Sequence, residues 1–237
     1  VQIPGTTWST AADTMDGSEE GRTFAIKTNG TLWCWGNNNN GNLGLNAPSN
    51  ERKSSPVQIP GTTWSNISVG TELQLATKTN GTLWAWGFNY DGQLAQNESY
   101  SPSKKARSSP TQIPGTTWST GENKISVAQG KAYAIKTDGT LWAWGSNSYG
   151  ALGTNQAHAL RISSPVQVPG TTWSAVTGGA NPLAKKTDNT LWSWGYNLRG
   201  EVGSGNVIYY SSPVQIPGTD WTKTSSATNG HYAIKEA

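Results

Sequence analysis

Disulfide pairing, metal chelation and acid–base catalysis all draw on residue types that this 237-residue chain nearly lacks. It holds one cysteine, Cys34, and two histidines, His158 and His231. A single cysteine excludes an internal disulfide and leaves the redox compartment open. No Cys/His pair or Asp-x-Asp run offers metal-ligand spacing, so no metal is expected. The two histidines fall at unrelated points of the chain, and no catalytic residue is assigned. No glycine-rich phosphate loop opens a helix, Gly203-Ser204-Gly205 reading as a turn, so no cofactor is expected either. No window holds eighteen apolar residues, and no basic segment followed by an apolar stretch opens the chain. Neither a membrane span nor a signal peptide is therefore expected.

What is present is turn and bulk: 28 Gly, 12 Pro and 13 Trp, with only 2 Phe, 1 Met and 13% charged residues. This is a turn-rich all-β composition. The tryptophans are ordered by two repeated strings. Pro-Val-Gln-Ile-Pro-Gly-Thr-Thr-Trp, with small changes, ends at Trp8, Trp64, Trp118, Trp173 and Trp221. Thr-Leu-Trp-x-Trp-Gly starts at Thr31, Thr82, Thr140 and Thr190, and together the strings account for every Trp. Four units are predicted at residues 8–63, 64–117, 118–172 and 173–220. Residues 221–237 plus 1–7 read as a split unit within one domain spanning 1–237. The pattern breaks at Lys235-Glu236-Ala237 and opens in mid-motif at Val1-Gln2-Ile3, so the expectation is a natural carboxyl end and a cut amino end.

Each unit resolves into four strands. The first follows the linker Trp, as at Trp64-Ser65-Asn66-Ile67-Ser68-Val69. The second reads Phe24-Ala25-Ile26-Lys27-Thr28 and its counterparts. A hairpin follows at Asn29-Gly30, Asn80-Gly81 or Asp138-Gly139, dipeptides suited to a two-residue type I′ turn, whereas unit four has Asp188-Asn189. The double-Trp string is the third strand. A long loop then leads to a short fourth strand such as Val57-Gln58-Ile59. Alternation places Trp33 and Trp35 on one face and Leu32 and Cys34 on the other, where the Cys34 position is Ala85, Ala143 or Ser193 in other units. A bulky face beside a slim one predicts blades that interlock, with stability drawn from blade-on-blade contact. The predicted fold class is all-β: a β-propeller of four-stranded antiparallel blades, four complete and one composite or incomplete.

The strings Ala-Ile-Lys-Thr-Asx-Gly-Thr-Leu-Trp-Ala-Trp-Gly and Asn-x-x-Gly-x-Leu-Gly resemble the regulator-of-chromosome-condensation repeat. The Gly-x-Leu-Gly signature stands at Gly41-Asn42-Leu43-Gly44 and Gly150-Ala151-Leu152-Gly153, with departures at Ala95 and Val202. The resemblance implies a propeller, usually of seven blades, acting as a platform for protein partners. The family includes a nuclear exchange factor for a small GTPase, a secreted bacterial β-lactamase inhibitor, and bacterial and phage proteins of unknown role. The wording of these units is similar to versions from marine bacteria and their phages. Seven blades at this period would need about 370 residues.

Five lysines, Lys27, Lys78, Lys136, Lys186 and Lys235, occupy one slot in each unit. Without them the 17 basic residues fall to 12, against 14 acidic ones. The net charge of +3 is thus spread round the framework, and nucleic acid is not an expected partner. Lys104, Lys105 and Arg107 form the one basic cluster.

Residues shared by all units build the scaffold, and those that differ are free to recognise a partner. The loops at 37–55, 88–109, 146–164 and 196–212 differ most and carry six of the eight Tyr: Tyr90, Tyr100, Tyr149, Tyr196, Tyr209 and Tyr210. Tyrosine among Asn, Ser and Gly is the composition of binding loops. Tyr90, Tyr100, Arg107, Tyr209 and Tyr210 lie farthest from the repeat consensus and are the candidate binding residues. The reading is a non-enzymatic module of a virion or bacterial surface that recognises a protein or glycan. The alternative is a soluble inhibitor or regulator capping a partner's active site. Nucleotide exchange would call for acidic loop residues on one face, and the loops are neutral to slightly basic.

Overall fold

The computed structural model describes residues 3, 5–47, 50–98, 106–156, 158, 160–227 and 230–235. Four sheets follow one another along the chain, each of four antiparallel strands in sequence order. Blade one contains β1 (Met15–Ser18), β2 (Arg22–Ile26), β3 (Leu32–Gly36) and β4 (Lys53–Gln58). Blade two contains β5 (Trp64–Val69), β6 (Leu73–Lys78), β7 (Leu83–Gly87) and β8 (Arg107–Ile113). Blade three contains β9 (Ile125–Ala128), β10 (Lys131–Ile135), β11 (Leu141–Ser146) and β12 (Arg161–Gln167). Blade four contains β13 (Trp173–Thr177), β14 (Leu183–Lys186), β15 (Leu191–Gly195) and β16 (Tyr210–Ile216). A final pair, β17 (Trp221–Ala227) and β18 (Gly230–Lys235), makes a two-stranded sheet. The five first strands surround one cavity of about 220 Å³, lined in turn by Asp16, Ser68, Ser126, Thr177 and Thr224. This is a β-propeller whose first strands are innermost.

Within a blade the scaffold is a tryptophan triad clamped by a lysine. Trp64 lies 6.0 Å from Trp84 and 6.3 Å from Trp86 between ring centroids, and Lys78 Nζ sits 4.5 Å from the Trp64 and Trp84 rings. Lys27, Lys136 and Lys186 repeat this in the other complete blades. The repeated cations are therefore held by the quadrupoles of two indole faces.

Between blades the second Trp of the third strand does the joining in blades two, three and four. Trp86 Nε1 donates to Asn42 O at 3.1 Å, Trp144 Nε1 to Gln93 O at 2.9 Å, and Trp194 Nε1 to Ala151 O at 2.9 Å. Each acceptor belongs to the loop of the preceding blade. The loop is shaped by a buried asparagine: Asn38, Asn89, Asn147 and Asn197 each accept, through Oδ1, the amide of Leu43, Leu94, Leu152 or Val202. The first glycine of the signature lets the loop meet the next blade's fourth strand. A Cβ on Gly41 would stand 2.5 Å from Ser108 Cβ, and Gly41 is at φ +72°.

Three expectations about local structure are corrected. The hairpin between second and third strands has three loop residues, not two. Lys27 and Thr31 close it, Gly30 N donates to Lys27 O at 2.8 Å, and positive φ occurs at Gly30 but not at Asn29. This is a type I turn followed by a glycine bulge. Asn29 Oδ1 accepts from both the amide and the hydroxyl of Thr31, whose oxygen in turn accepts from Trp33 Nε1, and this relay anchors the turn. In unit four Asn189 takes the bulge position at φ +61°.

The fourth strands also begin earlier than expected. A register shift at the glycine ending each double-Trp string resumes the ladder beyond it, pairing Gly87 with Arg107 and Gly195 with Tyr210. Gly87 reaches φ +104° to do so. Arg107 and Tyr210, which the repeat pattern assigns to loops, therefore open strands β8 and β16.

Finally, the first strands of units one and three do not start at the linker Trp. Trp8 and Trp118 each make an isolated bridge, and the ladder resumes at Met15 and Ile125. The intervening segments turn toward the central channel, where Asp13 accepts a hydrogen bond from the Asn123 amide, linking blades one and three.

The blade-to-blade contacts predict unequal costs for equivalent residues. Trp144 is fully buried, whereas Trp35, its blade-one counterpart, is half-buried. Trp144→Ala should cost about 3–5 kcal/mol in urea unfolding, and Trp35→Ala distinctly less. Equal losses would contradict this packing.

The channel predicts a pH response. Burial raises the carboxyl pKa of Asp13 and Asp16 above the ordinary value, and nearby Glu122 raises Asp13 further, while amide hydrogen bonds pull both the other way. The native state thus holds these protons more tightly than the unfolded chain. Their contribution is most favourable below the unfolded carboxyl pKa of about 3.9 and is lost as pH rises through the native values. Asp13→Asn keeps an acceptor for the Asn123 amide without the charge. It should be at least as stable as the parent at pH 7, with the difference vanishing near pH 3.5, as urea midpoints would report.

Candidate functional site

The strand directions put the hairpins between first and second strands, and the long loops between third and fourth strands, at one end of every blade. At the centre of this face the channel opens into a mouth of about 340 Å³ walled by small residues such as Gly17, Gly70, Ala128 and Gly178. The seams between blades radiate from it, and the candidate residues fall in different seams.

At the seam of blades two and three, Tyr90 stacks on Phe88 with centroids 6.0 Å apart and ring planes 5° apart. The Arg161 guanidinium lies 5.2 Å from the Tyr90 ring, and its Nε donates to Asp91 Oδ1 at 2.5 Å. This seam is filled. Arg107 pairs with Glu98, which neutralises it. Tyr100, Lys104 and Lys105 lie outside the described residues.

At the seam of blades three and four, three tyrosines meet. Tyr149 is 5.1 Å from Tyr196 and 5.3 Å from Tyr209, and Tyr196 and Tyr209 are 5.4 Å apart. The exposed His158 approaches Tyr209 at 6.4 Å. Tyr210, next in sequence, plays a different part: its hydroxyl accepts from Asn206 Nδ2 at 2.6 Å and its ring packs on the core between blades three and four. Of the five candidates, only Tyr209 joins this cluster. Tyr149 and Tyr196 were legible as loop tyrosines, but their distance from the consensus did not single them out.

Tyr149 is half exposed and holds φ +58°. Blade one uses Asn40 at the same position at φ +57°. Asparagine tolerates this region, whereas a bulky residue there is strained, a condition that gathers at functional sites. The hydroxyl of Tyr209 is held above the usual phenol pKa by partial burial, by Tyr196 and Tyr149, and by Glu201.

Beside the cluster is a cavity of about 230 Å³ lined by Gln129, Lys131, Ser146, Ser148, Tyr149, Ala180 and Tyr196. Its origin is a size difference. Ser146 and Ser148 stand where blade two has Phe88 and Tyr90, so the seam that those rings fill is here left open.

The one cysteine is placed for packing and not presented to solvent. Cys34 is fully buried, its Sγ 3.2 Å from Leu43 O, and burial pushes its thiol pKa up to about 12. Among the described residues no three His, Cys, Asp or Glu side chains gather as a metal site. Nor is any described helix long and apolar enough to cross a membrane.

Comparison with known proteins agrees with this architecture. The model of the regulator of chromosome condensation (RCC1) repeat matches residues 29–76, 80–133 and 138–181. The protein RCC2 homolog of Danio rerio is 32% identical over 147 residues, covering 58% of this chain and 28% of that protein. The probable E3 ubiquitin-protein ligase HERC6 of Homo sapiens is 28% identical over 177 residues, covering 70% of this chain but 16% of the ligase. The chain thus spans less than a third of either relative. Among solved structures, Prp20p from Saccharomyces cerevisiae, described with its binding to Gsp1p and histones, superposes with a TM-score of 0.78 at 18% identity, over 98% of this chain and 56% of Prp20p. Human WBSCR16 gives a TM-score of 0.77 at 19% identity, over 92% of this chain and 56% of that one. With three successive repeats matched across more than half its length, the chain belongs to the regulator of chromosome condensation (RCC1) repeat family.

Proposed function

We propose that this chain is a non-enzymatic binding module that engages a protein or glycan with its loop face, centred on the seam of blades three and four. The observation that carries this reading is the cluster of Tyr149, Tyr196 and Tyr209. Three clustered aromatic rings, two of which line the adjoining cavity, offer contact area at low entropic cost. One of them, Tyr149, stands at φ +58°, a conformation that blade one gives to an asparagine at the same position.

The setting we favour is a virion or bacterial surface, supported by loops rich in Asn, Ser and Thr and by units that differ from one another chiefly in those loops. A second reading, a regulator that caps a protein partner, is supported by the likeness to RCC2 and to Prp20p, the latter described as binding Gsp1p and histones. Both readings use the same face, and neither requires nucleic acid or a cofactor.

A glycan array, protein pull-downs and the composition of purified particles separate the settings. In whichever assay finds a partner, Tyr149→Ala or Tyr209→Ala should weaken binding at least ten-fold, and Tyr210→Phe should have little effect, since it removes a loop-bracing hydroxyl and not a contact. Unchanged binding by both alanine variants would place the partner elsewhere.

A further inference from the structure

The cavity at this seam encloses a cation without a counter-charge. Lys131 is 6% exposed, and its Nζ donates to Ala180 O at 3.0 Å, crossing from blade three to blade four. Blade one has the same device: Arg22 reaches across to Gly70 and Thr71 of blade two. There the guanidinium also has an acid, Glu20 Oε2, 3.0 Å from Nη1. Glu20-Gly21-Arg22 corresponds to Gln129-Gly130-Lys131, so the acid's place is taken by neutral Gln129. None of the ion pairs among the described residues includes Lys131. Burial lowers its pKa to about 8, which leaves it mostly charged at neutral pH.

A buried ammonium that has lost its acid calls for an anion from outside. The remaining walls narrow the class. Tyr149 and Tyr196 line it with aromatic side chains set at 75° to each other, and Ser146 and Ser148, whose Oγ atoms are 3.2 Å apart, bring hydroxyls. One cation matches a singly charged carboxylate better than a phosphate dianion, which needs several donors. The size suits one ring.

We infer that this cavity binds an acidic sugar, with its carboxylate at Lys131, its ring against Tyr149 and Tyr196, and its hydroxyls at Ser146 and Ser148. The assignment rests on the reading of the loop face as a binding surface and names its ligand class.

Calorimetric titration of the whole chain with tetragalacturonate and with its neutral methyl ester tests it. The acid form should bind at least ten-fold more tightly than the ester, and Lys131→Met should erase that preference. Because Lys131→Met also removes a link between blades, Tyr149→Gly provides the second arm. Glycine is at ease at φ +58°, and this relief partly offsets the lost ring contacts, so this variant should stay folded under the assay conditions, as its urea midpoint would report, while losing at least ten-fold in affinity. Equal binding of acid and ester, binding of neither, or a preference that survives Lys131→Met would overturn the assignment. If neither sugar binds but Tyr149→Ala still weakens a partner, the acidic-sugar assignment falls and the loop-face reading stands. If the tyrosine variants change no binding at all, both fall.

Discussion

The indole-to-carbonyl bond between successive blades is the contact on which the rest of the molecule depends. Trp86, Trp144 and Trp194 each bury a large ring at the seam and spend their N–H on a loop carbonyl of the blade before. Indole is suited to this because it combines the largest apolar area of any side chain with one donor that must be satisfied when buried. The loop that supplies the acceptor is held by its asparagine and by a glycine close to the next blade's backbone. A repeat of this kind cannot be stable singly, since half of each joint lies in its neighbour.

That joint also explains which residues are free to vary. In the loops, the asparagine, the glycine and the carbonyl are committed to the seam. Positions 37, 39 and 40 of blade one and their counterparts are not committed, and there the blades differ: Phe88, Tyr90 and Asp91 close one seam, while Ser146, Ser148 and Tyr149 leave the next one open. On the proposed reading, recognition is a matter of how each seam is finished, on a frame built by the framework lysines and tryptophans.

Much of the frame was legible in the sequence because it repeats. The two tryptophan strings, the small residue at position 34 and the glycine-bearing hairpins specify strands, faces and stacking without reference to long-range contacts. What escaped was non-repetitive or depended on exact backbone angles. Asn29-Gly30 is compatible with two hairpin types, and the side-chain bond from Asn29 to Thr31 selects the one with three loop residues. The early start of β8 and β16 follows from a glycine bulge, so Arg107 and Tyr210 became strand residues. Spacing did carry a signal for the segments before β1 and β9: the linker Trp precedes the framework lysine by 19 and 18 residues in units one and three, but by 13 or 14 elsewhere. At the candidate site, tyrosine enrichment in loops was visible. The convergence of Tyr149, Tyr196 and Tyr209, and the loss of an acid beside Lys131, required blades to be placed side by side.

Hydrogen exchange at the indole N–H groups, followed by NMR in the intact chain, tests this account most directly. If the seams hold the propeller together, the indoles of Trp86, Trp144 and Trp194 should exchange only through large-scale opening, at similar free energies close to that of unfolding, and far more slowly than Trp35. Fast exchange at the three buried indoles, while the amides of β6, β10 and β14 stay protected, would show blades that stand without their joints and would contradict it.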